Sequence, residues 1–148
     1  MEYRKATIDD VPDLIELRKQ QLLDEGFSPI LNIDPELHEY FQTGLSDGSF
    51  IAWLAVTDSL IIATSGLCFY QLPPTYSNPS GRVAYVTNMF TRKEYRRQGI
   101  SSHLLNLIID EAKSLNYKVL RLHTSANAKS IYNKAGFIDY TGYMSFVV

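Results

Sequence analysis

Arg96-Arg97-Gln98-Gly99-Ile100-Ser101 joins two segments of different periodicity: a β-branched and aromatic run that ends near Phe90 and a helical apolar pattern that begins at Ile100. At the start of a helix, four main-chain amides have no intrahelical partner and the helix dipole is positive. Gly99 lets a ligand approach the main chain because it has no Cβ, and the two arginines add forked donors for phosphate oxygens. The stretch, which we call the arginine loop, therefore predicts an anion-binding site at a helix N-terminus.

The segment after the arginine loop predicts an amphipathic helix over residues 100–115. Its apolar residues recur mostly three or four positions apart, which is typical of a helix with one buried face. The predicted inward face consists of Ile100, Leu104, Leu107, Ile108, Ala112 and Leu115. With a strand before it (82–91) and a strand after it (118–123), this helix forms a right-handed βαβ unit with parallel strands.

The rest of the chain also divides into strand and helix patterns. Further strands are predicted over 3–6, 49–56, 60–72 and 137–148, the last as one or two closing strands, and Asp58-Ser59 joins two of them in a hairpin. Helices are predicted over 10–24, from 34 to 40 or 41, and over 127–134, whereas 44–48 is predicted as a turn. This order predicts an α/β fold on a mixed, mostly antiparallel sheet with one parallel βαβ unit.

The composition indicates an ordinary globular chain. With 148 residues, of which 45% are hydrophobic and 20% charged, we expect a single domain over 1–148. The formal net charge of −2 argues against nucleic acid as a partner, and no apolar run approaches membrane-spanning length, so we expect a cytoplasmic protein with no membrane partner. The single cysteine, Cys68, excludes a disulfide framework and a cysteine-rich metal site. We interpret Cys68 as a core residue on a strand and predict no metal centre.

Two common phosphate-binding motifs do not match the arginine loop. A P-loop needs a longer glycine-rich turn that ends in Gly-Lys-Ser or Gly-Lys-Thr, and a dinucleotide-binding fingerprint needs three spaced glycines. The loop has one glycine, Gly99. Taken alone, Arg96 and Arg97 could equally be solvated surface charges in front of a helix.

A second motif follows downstream: Ser130-Ile131-Tyr132-Asn133-Lys134-Ala135-Gly136-Phe137. Together with the arginine loop, it resembles the GNAT family of acetyl-CoA-dependent N-acyltransferases. The loop matches that family's pyrophosphate motif, Arg/Gln-x-x-Gly-x-Gly/Ala, at Arg96 and Gly99, while Ser101 departs from the usual Gly or Ala. The downstream motif matches Leu-Tyr-Glu-Lys-x-Gly-Phe at Tyr132, Lys134, Gly136 and Phe137, with Ile131 for Leu and Asn133 for Glu. The resemblance covers residues 82–146, and the first half of the chain only by the order of its elements.

The resemblance implies a GNAT fold with helices on both faces of the sheet and acetyl-CoA as the cosubstrate. It implies main-chain donors to the pyrophosphate at Gln98, Gly99, Ile100, Ser101 and Ser102, with Arg96 and Arg97 at its sides. It also implies that the main chains of Met89 and Thr91, with Phe90 between them, bind the acyl carbonyl and the pantetheine amides. An amide aimed at the thioester oxygen, here that of Met89, stabilises the charge that develops when an amine attacks.

Tyr132 is the residue that the resemblance implies for proton transfer. A phenol with an ordinary pKa of about 10 can protonate a leaving thiolate while staying neutral at neutral pH. Without the motif, packing of its ring against the sheet is the simpler interpretation. Asn127, which begins the same predicted helix, could cap that helix or contact pantetheine, and Ser125, a second candidate, stands where many relatives carry Asn.

The sequence does not identify a base for the amine proton, because the predicted strand has no carboxylate over 83–90. The remaining polar candidates are Tyr85, Thr87, Asn88 and His123. His123 has a suitable ordinary pKa, although a structural histidine is the more common case. Among the acidic residues, Glu94 is interpreted as solvated or arginine-paired. Glu25 and Glu39 could attract a cationic acceptor, although helix carboxylates of this kind are usually plain surface groups.

The sequence therefore predicts an N-acetyltransferase that moves the acetyl group of acetyl-CoA to a primary amine by direct attack in a ternary complex. No cysteine lies in the matched motifs, which disfavours an acyl-enzyme on Cys68. Two alternatives stay open: a non-catalytic acyl-CoA-binding or regulatory protein, and a transferase of a longer acyl group. The sequence names neither the acceptor, a small-molecule or peptide amine, nor the oligomeric state, for which a homodimer is one option.

Overall fold

A five-stranded mixed sheet forms the centre of the computed structural model, which describes residues 1–140 and 142–148. The strands lie in chain order: β1 (Glu2–Lys5), β2 (Phe50–Thr57), β3 (Leu60–Gln71), β4 (Arg82–Thr91) and β5 (Leu120–Arg121). Neighbours from β1 to β4 are antiparallel, whereas β4 and β5 are parallel. The helices are α1 (Val11–Asp24), α2 (Asp34–Asp47), α3 (Ile100–Ser114) and α4 (Lys129–Lys134). The predicted α/β fold with one parallel βαβ unit is confirmed.

Helices cover both faces of the sheet, and each face has its own apolar core. On one face, Leu14 and Leu17 of α1 and Phe41 of α2 pack against Phe50 and Leu54 of β2. On the other face, α3 packs against β3 and β4 through Leu105, Ile108 and Ala112. Complete burial of a large apolar side chain contributes about 1.5–3 kcal/mol, so these two layers fix the helices on the sheet.

The inward face of α3 differs from the prediction at two positions. Leu105 is buried at 1% exposure, although the predicted face omits it, and Leu115 is 38% exposed. The reason is that α3 ends at Ser114, so Leu115 lies in the cap where the chain turns away from the sheet. Asn116 follows with a left-handed φ of 61°, so the chain leaves the helical conformation there.

Helix α2 is longer than predicted, and the predicted turn over 44–48 is wrong. The helix continues to Asp47 and ends at Gly48, which has a left-handed φ of 80°. Gly44 lies inside the helix because the helix approaches β2 closely there: a Cβ on Gly44 would lie 2.5 Å from the Cβ of Phe50. Gly44 is therefore a packing glycine, and Gly48 alone acts as the terminator.

The C-terminal part of the chain contains less regular structure than predicted. The strand expected over 118–123 is reduced to the two residues of β5, and α4 begins at Lys129 rather than Asn127. The closing strands expected over 137–148 are wrong for residues 137–140 and 142–148, which form no helix or strand; Thr141 lies outside the described residues. Apolar side chains of this segment are exposed instead, Ile138 at 87% and Phe146 at 88%, because no neighbouring strand covers them.

An irregularity in β4 lies beside the cleft at the N-terminus of α3. The β3–β4 register shifts between Thr64 and Gly66, and Asn88 opposite this shift has a left-handed φ of 51°. In addition, β4 pairs with β5 only at Ala84 and Tyr85. From residue 86 onward, the described edge of β4 that faces β5 therefore has no strand partner, and a cleft opens beside the N-terminus of α3.

No helix in the described part of the chain is long and apolar enough to cross a bilayer.

Candidate functional site

The arginine loop folds so that the first amides of α3 are left without acceptors. Arg97 and Gly99 both have left-handed φ values, 62° and 80°, and Gly99 is the N-cap of α3. The N-cap has no side-chain hydrogen bond, and the first main-chain bond of the helix is donated by His103 to the Gly99 carbonyl at 3.0 Å. Within the described residues, the amides of 99–102 donate to no protein atom. They are four donors available to an anion at the positive end of the helix dipole.

A cavity of about 720 Å³, which we call the loop cavity, lies in front of these amides. Its lining includes most residues that the sequence predicts as cofactor contacts: residues 89–91 and 99–102, Arg96, Arg97 and Asn127, together with Ser125. A Cβ added to Gly99 would meet no atom within 4 Å, so the space above this residue is open. Gln98 does not line the cavity, and its side chain donates to the Glu94 carbonyl at 3.4 Å.

The two arginines of the loop have different surroundings. The Arg96 guanidinium donates to the Thr91 carbonyl at 2.8 Å and to the Asp24 carboxylate at 2.5 Å, and it lies over the Phe90 ring. Arg97 is exposed and forms no ion pair with a described residue. Arg96 therefore joins the loop to β4 and to the end of α1, whereas the charge of Arg97 is available to a ligand in the loop cavity.

Ser101, the departure from the family motif, has a structural partner. Its hydroxyl lies 2.9 Å from the hydroxyl of Thr91, the last residue of β4. Thr91 is buried at 6% exposure. This hydrogen bond ties the start of α3 to the end of β4, and it leaves the Ser101 amide free to face the loop cavity.

The predicted oxyanion residue, Met89, lies in the irregular part of β4. Neither Met89 nor Asn88 has a partner in the β3–β4 or β4–β5 ladder, and Met89 lines the loop cavity. Asn88 is 4% exposed, and its side-chain amide nitrogen makes no hydrogen bond with a described residue. Met89 thus lies outside the paired register of β4 where it borders the cleft.

Tyr132 lies at the boundary of a second cavity of about 310 Å³, which we call the tyrosine cavity. The side chain is 8% exposed and packs edge-on against Phe137 at a ring-centroid distance of 6.0 Å. Burial, with smaller contributions from the charges of Glu25 and Tyr85, raises the pKa of Tyr132 to about 12. The phenol therefore keeps its proton at neutral pH, and the motif residue is both packed and protonated.

The end of α1 contributes polar residues to the loop cavity, among them Glu25, for which the sequence left open a plain surface position or attraction of a cationic acceptor. Gln21, Asp24 and Glu25 line the loop cavity. The Gln21 side-chain amide donates to the Glu25 carboxylate at 2.9 Å, and the Arg18 guanidinium donates to the Gln21 oxygen at 3.0 Å. This chain of hydrogen bonds orients Glu25 at the cleft. The available signal was its position at the C-terminus of α1, directly before Gly26, which has a left-handed φ of 88°.

The other candidate bases divide into two groups. Tyr85 and His123 line the tyrosine cavity, with their rings 5.9 Å apart, and burial raises the pKa of Tyr85. The remaining candidates line neither cavity: Thr87, Asn88, Glu39 and Glu94. Cys68 also lines neither cavity; it lies on β3, and burial raises the pKa of its thiol.

Comparison with known proteins gives the same family as the resemblance of the two sequence motifs. The acetyltransferase (GNAT) family matches residues 11–137. A predicted acetyltransferase from Clostridium acetobutylicum, solved with acetyl-CoA, is 38% identical, with a TM-score of 0.94 over 99% of this chain and 95% of its own. No curated protein sequence matches the chain.

More distant structures share the fold. A GCN5-related N-acetyltransferase from Ralstonia eutropha is 21% identical, with a TM-score of 0.91 over 99% of this chain and 97% of its own. Glucosamine-6-phosphate N-acetyltransferase from Arabidopsis thaliana is 19% identical, with a TM-score of 0.77 over the same shares. Since the family match spans most of the chain and includes both the arginine loop and the Tyr132 motif, this chain belongs to the acetyltransferase (GNAT) family.

Proposed function

We propose that this protein transfers the acetyl group of acetyl-CoA to a primary amine, by direct attack of the amine in a ternary complex. The observation that carries the proposal is the set of acceptor-free amides at residues 99–102, which face the loop cavity beside the open edge of β4. The acetyl-CoA in the 38% identical relative from Clostridium acetobutylicum supports the same cosubstrate here.

The residues present fit this cosubstrate. A pyrophosphate carries adjacent negative charges that suit the N-terminus of α3 and Arg97, which forms no ion pair with a described residue. A pantetheine arm contains amide groups, which can pair with the open edge of β4 as an added strand would. Its thioester then lies at Met89, whose main-chain amide can donate to the carbonyl oxygen as negative charge develops there.

The proposed chemistry needs two proton movements. The amine nitrogen forms a bond to the acetyl carbon, the C–S bond breaks, and the sulfur takes a proton from the Tyr132 hydroxyl. The proton lost by the amine goes to a base, for which Glu25 is our candidate because it lines the cleft and its charge acts on Tyr132. Direct transfer is preferred over an acyl-enzyme because Cys68 lines neither cavity.

A regulatory acyl-CoA-binding protein on the same fold is the second candidate. One observation favours it: the described lining of the tyrosine cavity offers no free carboxylate as a base, because Asp139 is paired with Lys129 at 2.8 Å. Such a protein would bind acetyl-CoA without releasing CoA. A transferase of longer acyl groups would differ from both in its preferred thioester.

The deciding experiment measures thiol release from acetyl-CoA with a panel of primary amines and identifies the product by mass spectrometry. We expect amine-dependent release of CoA and an N-acetylated product, with acetyl-CoA preferred over hexanoyl-CoA. Binding of acetyl-CoA without thiol release for any amine would support the regulatory protein and contradict the transferase. Stable acetylation of Cys68 during turnover would contradict direct transfer.

A further inference from the structure

The described lining of the tyrosine cavity includes two cationic side chains, Arg121 and Lys129, and Tyr132, the residue proposed for proton transfer. Arg121 of β5 is the register partner of Tyr85 on β4, and both line the cavity together with Tyr132. A molecule that fills this cavity therefore borders both Arg121 and Tyr132.

The Arg121 guanidinium has polar and aromatic neighbours but no acidic one among the residues that the structure describes. It donates to the hydroxyl oxygen of Tyr143 at 2.7 Å and to that of Tyr70 at 3.5 Å, and it lies 4.4 Å from the centre of the Tyr140 ring. Hydrogen bonding to Tyr70, which outweighs the opposing effect of burial, raises the pKa of Arg121. The guanidinium is thus held in place as a cation.

The other charges of the cavity cancel each other. Lys129 and Asp139 form an ion pair at 2.8 Å, and they are joined by a hydrogen bond at 3.0 Å. Arg121 therefore supplies the uncompensated charge in the described lining, and that charge is positive. A forked guanidinium without a carboxylate partner is the group that proteins use to bind a carboxylate or phosphate.

We infer that the acceptor of this site is an amine that also carries a carboxylate, of the size of a free amino acid, and that Arg121 binds this carboxylate. The inference rests on the proposed acetyl transfer. The cavity volume of about 310 Å³ suits a small molecule rather than a folded protein, and the rings of Tyr70, Tyr85, Tyr140 and Tyr143 provide apolar surface for its side chain. A polyamine fits poorly, because its additional cations would face Arg121.

The test compares amines that differ in the carboxylate. Thiol release from acetyl-CoA is measured with tyrosine against tyramine, phenylalanine against phenethylamine, and 4-aminobutyrate against butylamine. Because a charge-assisted hydrogen bond contributes more than a neutral one, we expect kcat/KM for at least one carboxylate-bearing amine to exceed that of its partner by about tenfold or more. Equal or higher values for all three amines without a carboxylate would overturn the inference.

Two variants assign the preference to Arg121. Arg121→Gln should raise KM for the preferred amino carboxylate about tenfold, leave KM for acetyl-CoA unchanged, and reduce the preference over the decarboxylated amine. Arg82→Gln is the matched control, since Arg82 also stacks on a tyrosine, Tyr117, at 4.2 Å, but lines neither cavity. A preference that survives in Arg121→Gln would overturn the role of Arg121.

Failure of the proposed function gives a different result from failure of this inference. If no amine causes thiol release, the transferase proposal fails, and calorimetric titration of the CoA-bound protein with the same pairs tests the acceptor class on its own. Binding of tyrosine but not tyramine, lost in Arg121→Gln, would support the inference. Binding of neither would overturn it.

Discussion

The loop cavity and the tyrosine cavity are both lined by residues of β4 and α4, but they are built differently. The loop cavity presents main-chain amides from one continuous stretch, residues 99–102, whose directions are set by left-handed φ values at Arg97 and Gly99. The tyrosine cavity presents side chains from separate elements: Tyr70 from β3, Tyr85 from β4, Arg121 from β5 and Tyr143 from the C-terminal segment. A site built from main-chain amides tolerates changes of side chain, whereas the ligand preference of a site built from side chains depends on the identity of those side chains.

This difference predicts a division of effects. Substitutions at the loop cavity should change affinity for acetyl-CoA and leave the amine preference alone, and substitutions at the tyrosine cavity should do the reverse. Tyr132 lines the tyrosine cavity and its neighbour Ile131 lines the loop cavity; as the proposed proton donor, Tyr132 should affect turnover more than either affinity.

The largest effect is expected from Arg96→Ala combined with Arg97→Ala. The double variant removes the charge of Arg97 from the pyrophosphate and the Arg96 contacts that hold the loop in position; at about 2 kcal/mol each, these losses should weaken acetyl-CoA binding about 1,000-fold. The single variants separate the two roles: Arg97→Ala should lose affinity with little change in Tm, and Arg96→Ala should lower Tm because it frees Asp24. Calorimetric titration measures the affinity. Lys113→Ala with Lys118→Ala removes two exposed charges at the far end of α3 as a control, and unchanged affinity in the double arginine variant would contradict the loop site.

Tyr132→Phe should lower kcat about 100-fold, with KM for both substrates changed much less, because it removes the proton donor and keeps the ring. Since burial raises the pKa of Tyr132 to about 12, the acid should stay protonated and cause no fall in kcat across the neutral range. Steady-state kinetics across pH measures both effects. Tyr117→Phe is the control, because Tyr117 stacks on Phe69 at 4.7 Å and lines neither cavity. An unaltered kcat in Tyr132→Phe would reject the role in proton transfer.

Gly99→Ala should weaken acetyl-CoA binding about tenfold, which corresponds to 1.4 kcal/mol, because its Cβ enters the space in front of the amides. The left-handed φ should also cost about 1–2 kcal/mol of folding stability. Gly48→Ala is a close control: Gly48 has the same φ of 80° and open space around its Cβ position, but it caps α2 away from both cavities. Equal loss of acetyl-CoA affinity in the two variants would show that the strain of a left-handed φ, rather than the Cβ in front of the amides, is responsible.

The smallest effect is expected from Asp24→Asn. Hydrogen bonding to Arg96, with help from Lys93, holds the pKa of the Asp24 carboxyl below its usual range. A lowered pKa means that the ion pair stabilises the fold above the ordinary pKa of an aspartate and that this stabilisation is lost as pH falls through the lowered value. Asp24→Asn should therefore cost less than about 1 kcal/mol at neutral pH and nothing in strong acid. Denaturant unfolding at several pH values measures this. Asp110→Asn is the control, because Asp110 forms a similar ion pair with Lys113 on the solvent side of α3. If the stability lost in Asp24→Asn is still lost in strong acid, the ion pair with Arg96 is not its cause.

The sequence was sufficient for the fold and for most of the loop cavity, because their determinants are local. Asp58 and Ser59 form the predicted hairpin with left-handed φ values of 48° and 63°, and Gly99 begins α3 as its position indicates. The length of α2 was missed because Gly44 is required by a contact with Phe50 and not by a turn.

The sequence indicated Tyr132, Tyr85 and His123 of the tyrosine cavity as candidates, but it could not indicate the rest of the lining, because those residues meet only in three dimensions. Nothing near Arg121 in the sequence indicates that Tyr70 and Tyr143 surround its guanidinium. Glu25 reaches the cleft through the packing of α1 and the hydrogen bond from Gln21. Side-chain sites of this kind depend on which elements the sheet brings together.

The most direct test of the division between the cavities is a crystal structure of the protein with acetyl-CoA, from which the distances between the pyrophosphate oxygens and the main-chain nitrogens of residues 99–102 are measured. We predict at least two such distances at about 2.7–3.2 Å, with the acetyl group at Met89 and the tyrosine cavity free of the cosubstrate. A pyrophosphate bound away from the N-terminus of α3, or a pantetheine arm that fills the tyrosine cavity, would contradict the division.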